Sequence, residues 1–438
     1  MTYEKAMEYI HGLYWRGKKN GLEKTRELLL LCGNPEKELR YIHIAGTNGK
    51  GSTAAMLSNI LEKAGYRTGL YTSPYIVRYN ERISVNHADI ADEELAGLTE
   101  ELAACVEKME EPPSEFEFGT VLALLYFKRL SCDVVVMEAG LGGEFDSTNV
   151  IPAPVVSVIT ALGYDHTAIL GKTMTEIATA KAGIIKPGSR VVFYGEEPEG
   201  EAVIRKRCEV CGNSLVLPDF TALSSEEASE TVEEALKRGV LPKQRFSYRN
   251  RKHLNLSLSG LYQKKNAALV LETIDQLRMN GFEITEEAVR TGLSTVFWQA
   301  RLEVVSYPPL LLVDGSHNPQ GMQATMEGLE EMFPDRRFVF VFGAMADKEL
   351  DRMIPLFLPK AKRVYVTAPS MPRAMRAEEL MKLCIHLAQE QKCVSDFICC
   401  PEVYGALTRV QKEADDEIVV IIGSLYLAGE VKNLLSGA

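Results

Sequence analysis

No run of about eighteen apolar residues occurs in the 438-residue chain, so no transmembrane helix is expected. Positive charge is in deficit. Lys and Arg number 49 against 60 Asp and Glu, a formal net charge of −11, which disfavours non-specific nucleic-acid binding. An enzyme of this charge that takes anionic substrates must concentrate positive charge locally. Met1 to His11 is polar and amphipathic and lacks the charged, apolar and small-residue regions of a signal peptide. The nine cysteines are odd in number and scattered. A reduced, cytoplasmic protein is the simplest expectation. Cys208 and Cys211 form one CxxC, but no second pair and no His pair lies near it. Structural or incidental cysteines are expected there rather than a zinc or redox site. Internal repeats and low-complexity segments are absent as well.

What remains is ordinary globular material. Hydrophobic residues make up 46% and charged residues 25%, enough apolar side chains for a core in each of two domains, or three. Residues 2–33 read as two helices around the turn-prone Arg16-Gly17-Lys18-Lys19-Asn20-Gly21. Tyr41 to Ala45 reads as a strand, followed by a Gly-rich loop and a helix from Ser52 to Ala64. Strands are expected at Arg67–Thr72, Asp133–Glu138 and Val155–Thr160, with helices at 92–110, 116–131 and 173–183. The alternation of Phe246 and Tyr248, then Leu254, Leu256 and Leu258, fits a half-exposed antiparallel hairpin. Helices at 261–280 and 285–294 follow. From residue 301 the pattern restarts, with strands Leu310–Asp314, Phe338–Phe342, Val364–Thr367 and Ile418–Ile422 separated by helical stretches. Alternating strand and helix implies mainly parallel sheets. The expected boundary lies near 294–300, giving domains 1–296 and 297–438, with ligands in the cleft between two α/β domains.

Gly46-Thr47-Asn48-Gly49-Lys50-Gly51-Ser52-Thr53 follows a strand and opens a helix. Glycines let backbone N–H groups turn inward around phosphate oxygens. The helix N-terminus favours negative charge, and Lys50 adds a point charge. The loop is shorter than a Walker A motif, and Gly51 stands where a hydroxyl usually follows the lysine. Ser52, Thr53 or a residue elsewhere must supply the metal-facing hydroxyl.

Glu138 ends a strand and precedes Ala139-Gly140-Leu141-Gly142-Gly143. A carboxylate at the C-terminal end of a parallel strand faces the usual ligand crevice and is a credible Mg²⁺ ligand. A dinucleotide fingerprint is disfavoured, because Phe145 occupies the third glycine position and Asp146-Ser147-Thr148-Asn149 replaces the helix. His166 also follows a strand, in Ala161-Leu162-Gly163-Tyr164-Asp165-His166-Thr167. It either binds metal or pairs with Asp165. Lys181 sits among Ala178, Ala180, Ala182, Gly183 and Ile184. Such a lysine is either buried and chemically tuned or snorkels from a helix end.

Together these segments resemble the folylpolyglutamate synthase and dihydrofolate synthase family, within the wider Mur ligase group. The resemblance covers nearly the whole chain. It runs through Gly21-Leu22-Glu23, Gly33-Asn34-Pro35, His43 to Ser52, Thr72-Ser73-Pro74, Asn80-Glu81-Arg82-Ile83, Phe116-Glu117, Glu138 to Val150 and Asp165 to Gly188. It continues through Gln263 with Asn266, Trp298 to Glu303, Asp314 to Pro319, Asp347-Lys348 and Gly423-Ser424-Leu425-Tyr426.

The resemblance implies a P-loop ATPase-type N-terminal domain with a mainly parallel sheet plus a small antiparallel sheet, and a Rossmann-like C-terminal α/β domain. It implies ATP-dependent addition of L-glutamate to a folate or dihydropteroate carboxylate through an acyl phosphate. Gly46 to Ser52, Asn266, Arg301 and Asp314 would bind ATP. Ser73, Glu138 and His166 would hold Mg²⁺. A carbamylated Lys181 would help hold a second Mg²⁺. Phe116 and Asp146 would lie on the pterin side, and His317 and Ser424 where incoming glutamate docks. Lys50, Lys181 and His317 are the catalytic candidates. A cytoplasmic monomer without nucleic-acid or membrane partners is expected. Departures from the family pattern are Glu144 in place of a common arginine, Ala300 in place of glycine, Ala161 in place of asparagine and Tyr164 in place of leucine. Two other readings stay open: a Mur-type ligase acting on a cell-wall precursor, and a non-catalytic nucleotide-binding regulatory protein.

Overall fold

The computed structural model describes residues 1–13, 21–393, 396–414 and 417–436. Apart from Gly21, the expected turn at Arg16–Gly21 lies outside the described residues. The chain forms two compact units. The first comprises Met1–Ala222 and Asn266–Val296, the second Leu223–Lys265 and Phe297–Ala438.

The first unit is built on an eight-stranded sheet. Its strands are β1 (Tyr41–Ala45), β2 (Thr68–Tyr71), β3 (Ile83–Val85), β4 (Ala88–Asp89), β5 (Val134–Glu138), β6 (Val156–Ile159), β7 (Arg190–Phe193) and β8 (Leu215–Val216). Their spatial order is β4-β3-β2-β5-β1-β6-β7-β8. The strands from β2 to β8 in that order are parallel, and β3 and β4 run antiparallel at one edge. Central β1 and β5 are buried at every residue, as expected for strands covered on both faces. In register, Ile44 lies opposite Glu138 and Ala45 opposite Ile159. The C-terminal ends of β5, β1 and β6 are therefore level, and the segments after them emerge together. Helices Glu115–Arg129 and Glu23–Leu31 pack Phe118, Phe127, Leu28 and Leu29 with Tyr41, Tyr71 and Met137 in one core cluster. Each such side chain contributes about 1.5–3 kcal/mol by leaving water.

In the second unit, β9 (Leu223–Glu226), β10 (Gln244–Tyr248) and β11 (Arg251–Leu256) form a small antiparallel sheet in the order β11-β10-β9. The expected hairpin is β10 and β11. The third strand, Leu-Ser-Ser-Glu, carries too few apolar residues to announce itself. The larger sheet contains β12 (Glu303–Ser306), β13 (Leu310–Val313), β14 (Phe338–Phe342), β15 (Ala361–Ala368), β16 (Asp396–Glu402) and β17 (Ile418–Ile422). Its order is β12-β13-β17-β14-β15-β16, parallel except for β12. The four inner strands are those the apolar runs mark. The two outer ones are half-exposed or contain Asp and Pro, as edge strands commonly do.

The physical reason that 223–265 belongs with the second unit is packing. Leu236 and Leu241 join the core formed by Leu302, Met326, Phe338, Phe340 and Phe357. Lys264 Nζ, almost fully buried, donates to Ser225 Oγ at 2.8 Å and to Glu331 at 2.9 Å. Helix Leu261–Met279 thus begins in the second unit and continues in the first.

Candidate active site

The phosphate-type loop leaves β1 and enters helix Lys50–Lys63. Its path is held by the segment after β6. Thr47 and Asn48 N–H both donate to Ala161 O, at 2.9 and 3.2 Å. The Thr47 hydroxyl donates to Gly163 O at 3.0 Å and accepts from Gly163 N at 3.1 Å. Gly46 has φ +152°, and a Cβ there would collide with Thr160 Oγ1. Gly49, the residue before the helix, has φ +87°, and its added Cβ would come within 2.7 Å of Asn266 Oδ1. Asn266, an expected nucleotide residue, is therefore in place beside the loop. A helix start exposes N–H groups that have no intrahelical acceptor, and these are what an anion meets.

Two lysines converge on this loop. Lys50 Nζ donates to Gly46 O at 3.2 Å and Thr47 O at 3.1 Å. Lys181 Nζ donates to the same Gly46 O at 2.7 Å. Lys181 is 4% exposed, near the end of helix Met174–Ala182. Burial, together with the neighbouring Lys50 charge, pushes its pKa down to about 7. Lys181 is thus buried and does not snorkel to solvent.

Glu138 is buried at the end of β5, and its carboxylate accepts from Ser73 N at 3.2 Å. Two expected metal-side residues thereby meet. His166 stands at φ +51° before the short helix Thr167–Leu170. Its ring lies 3.8 Å from Asp165 and is half-exposed. Among the described residues, no three His, Cys, Asp or Glu side chains cluster as a ready metal cage.

The second glycine loop packs tightly. A Cβ at Gly140 would meet the Phe116 ring at 2.5 Å, and one at Gly143 would meet Lys181 O at 2.8 Å. Glu144 N donates to Ala180 O at 2.8 Å, and Asn149 Nδ2 bonds the carbonyls of Glu144 and Gly183 at 3.0 and 3.1 Å. The Glu144 side chain is exposed. Asp146 is fully buried. Its carboxylate accepts from Leu141 N at 2.7 Å, Thr148 N at 3.0 Å and Thr148 Oγ1 at 2.6 Å. With its hydroxyl proton given to Asp146, Thr148 must accept from His43 Nε2–H, 2.8 Å away. Burial holds the His43 imidazole neutral, its pKa down to about 3. Sequence reasoning missed this Asp146–Thr148–His43 chain. The Asp-Ser-Thr turn chemistry was its only local signal.

In the second unit, Asp314 at the end of β13 accepts from Leu302 N (3.0 Å), Ser316 N (2.9 Å) and Thr325 Oγ1 (2.8 Å). Arg301 lies beside Gly315, whose added Cβ would meet its Nη1 at 2.8 Å. His317 Nδ1–H donates to Gly315 O at 2.9 Å, which leaves Nε2 as the acceptor nitrogen. Ser316 O accepts from Gly423 N at 3.1 Å, joining the ends of neighbouring β13 and β17. Ser424 follows and is buried. Its hydroxyl accepts from Tyr426 N at 3.1 Å, at the start of helix Leu425–Ser436. Arg301, Asp314, His317 and Ser424 thus gather at one end of this sheet.

Two domain families match the chain: the Mur ligase middle domain over residues 44–274 and the Mur ligase glutamate ligase domain over 300–425. A Bacillus subtilis dihydrofolate synthase/folylpolyglutamate synthase is 37% identical over 446 residues, 99% of each chain. The chain belongs to the folylpolyglutamate and dihydrofolate synthase family. Members of this family are ATP-dependent ligases. The fold agrees. The apo form of the L. casei folylpolyglutamate synthase superposes with a TM-score of 0.84 at 33% identity, covering 99% of this chain and all of that one. Escherichia coli FolC in complex with DHPP and ADP gives 0.83 at 27% identity, covering 100% and 98%. No described helix is long and apolar enough to cross a membrane.

Proposed function

We propose that this member of the synthase family joins L-glutamate to the carboxylate of dihydropteroate, a reduced folate or both, using ATP. A free carboxylate resists attack by an amine, and its oxygen is a poor leaving group. Transfer of the γ-phosphoryl of ATP to that carboxylate gives an acyl phosphate. The α-amine of glutamate then attacks the acyl carbon, and inorganic phosphate leaves with the former carboxylate oxygen. The observation that carries the reading is the convergence of Lys50 and Lys181 on Gly46 O, at a glycine loop opening a helix. The loop amides and Lys50 spread the charge of a phosphoryl group in transit.

Within this reading, Lys50, the loop amides and Asn266 would bind the nucleotide, with Arg301 and Asp314 contributing from the second unit's sequence. Phe116 and the loop ordered by Asp146 would serve the pterin side. His317 and Ser424 would receive glutamate. Glu138, Ser73 and His166 would hold Mg²⁺. The Glu138 carboxylate and the Ser73 hydroxyl are hard oxygen donors, and with the His166 nitrogen they suit a cation that keeps waters and substrate phosphates as its other ligands. When bound, Mg²⁺ supplies positive charge to the transferring phosphoryl group.

Lys181 would be carbamylated. Burial has already taken its amine toward the neutral form, the form that adds to CO₂ with loss of one proton. The product is an anion where Lys50 and the Lys181 amine now share one carbonyl. Repulsion between Lys50 and Lys181 becomes attraction, and a second Mg²⁺ gains an oxygen ligand.

The deciding experiment incubates purified protein with Mg-ATP and glutamate and offers dihydropteroate or a reduced folate separately. ADP release and a product heavier by one glutamyl residue are expected with at least one. ADP release with neither acceptor would overturn the reading.

A further inference from the structure

The turn presenting Arg301 departs from ordinary backbone geometry. Ala300 has φ +51° and Leu302 φ +47°, so two side-chain-bearing residues in the left-handed region flank the arginine. Such conformations persist only when their surroundings over-determine them. Here Leu302 N donates to Asp314 Oδ2 at 3.0 Å, Gly315 N donates to Ala300 O at 2.9 Å, and Ala300 N donates to Glu303 Oε2 at 2.8 Å. Arg301 Nη1 itself donates to Ala300 O at 2.7 Å. A shift of residue 300 therefore moves the guanidinium.

Glu303 is held in turn by Lys432. Lys432 Nζ lies 2.6 Å from Glu303 Oε1, 2.9 Å from Oε2 and 2.6 Å from Gln299 Oε1. The two charged side chains are 17% and 11% exposed, so their pairing is little screened by solvent. Lys432 stands on helix Leu425–Ser436, which follows Ser424. This helix also packs against Gly315, whose N–H holds Ala300 O, since a Cβ there would collide with Leu425.

We infer that Lys432, acting through Glu303, is a positioning residue for Arg301. The pair holds the carboxylate that accepts from Ala300 N, and so fixes the arginine's approach to nucleotide. This rests on the assignment of Arg301 to ATP. Without Lys432 the carboxylate is left mostly buried without its counter-charge. It then protonates or turns toward water, and Ala300 N–H loses its acceptor.

The test compares Lys432→Met, Lys432→Arg, Arg301→Ala and the double variant Lys432→Met/Arg301→Ala by steady-state kinetics and thermal melting. Lys432→Met is expected to raise KM for ATP about ten-fold while changing kcat at saturating ATP by less than about three-fold. Lys432→Arg should recover most of the loss. In the Arg301→Ala background, Lys432→Met should add less than about two-fold, because the residue it positions is gone. A lowered Tm with unchanged KM for ATP would make the pair merely structural and overturn the inference. So would a ten-fold rise that persists without Arg301. If Arg301→Ala itself leaves KM for ATP unchanged, the nucleotide assignment falls and takes the inference with it. That outcome differs from one in which Arg301→Ala acts and Lys432→Met does not. Should Lys432→Met fail to fold, Glu303→Gln enters the same comparison, since it keeps an acceptor oxygen and removes the charge.

Discussion

The Gly46–Ser52 loop and the Arg301 turn present positive charge by opposite means. The first uses glycine at 46 and 49, where a Cβ would collide with Thr160 or Asn266, and its lysines lie against its own carbonyls. The second places alanine and leucine in the left-handed region and holds them with two carboxylates, Asp314 and Glu303. In the loop, missing side chains let the backbone pass close to Thr160 and Asn266. In the turn, strain is offset by hydrogen bonds, and the backbone is pinned rather than opened. Crowding therefore limits substitution in the loop, while the network limits it in the turn.

The largest expected effect is at Lys50. Lys50→Ala should keep the fold and lower turnover by roughly 10²–10³, since one preorganised charge on a transferring phosphoryl group is lost. Near-normal ADP production by a folded variant would remove the loop from the chemistry. Lys181→Ala should lower activity by roughly 10². Added acetate or formate is expected to restore part of that loss. The native enzyme should gain activity as pH rises through about 7, where the buried amine loses its proton, and lose it when CO₂ and bicarbonate are removed. A pH profile flat from 6 to 8.5 and indifferent to bicarbonate would refute the carbamate.

The same lysine predicts a stability trend with a definite sign. In the unfolded chain the amine titrates near its ordinary 10.5, in the folded protein near 7. Between those values the unfolded state binds more protons, so stability rises with pH across that window. The penalty is fully present below about 7. Lys181→Met should flatten this part of a Tm-against-pH curve.

Gly46→Ala sharpens the contrast with the turn, and should destabilise by about 1–3 kcal/mol through the clash with Thr160. Unchanged melting would show that the loop relaxes freely. Glu138→Gln should raise the Mg²⁺ concentration for half-maximal activity roughly ten-fold, with nucleotide binding in EDTA little changed. An unaltered titration would move the metal elsewhere. The smallest effect is the converse glycine test. Ala300→Gly should raise stability by up to about 1 kcal/mol, because relief of the left-handed strain exceeds the added unfolded-state entropy. A fall in Tm would mean that the buried Ala300 methyl outweighs its backbone strain.

Much of this protein is determined by its sequence alone. Short apolar runs bounded by turn residues mark β1, β5, β6 and the four inner strands of the second sheet, because strands covered on both faces need continuous apolar residues. The glycine loop, Glu138 and Lys181 are legible because strand ends and small-residue contexts carry local signals. The edge strands β12 and β16 and the polar β9 do not, since partners elsewhere in the chain supply their stability. Only the tertiary structure decided that Lys181 and Lys50 meet at one carbonyl, 135 residues apart for Lys181 and Gly46. It also buried Asp146 behind Thr148 and His43, grouped 223–265 with the C-terminal core through Leu236 and Leu241, and set Lys432 against Glu303. Side-chain chemistry is written in sequence. The neighbours that set its charge, hydrogen bonding and reach are brought together only by packing across long separations in the chain.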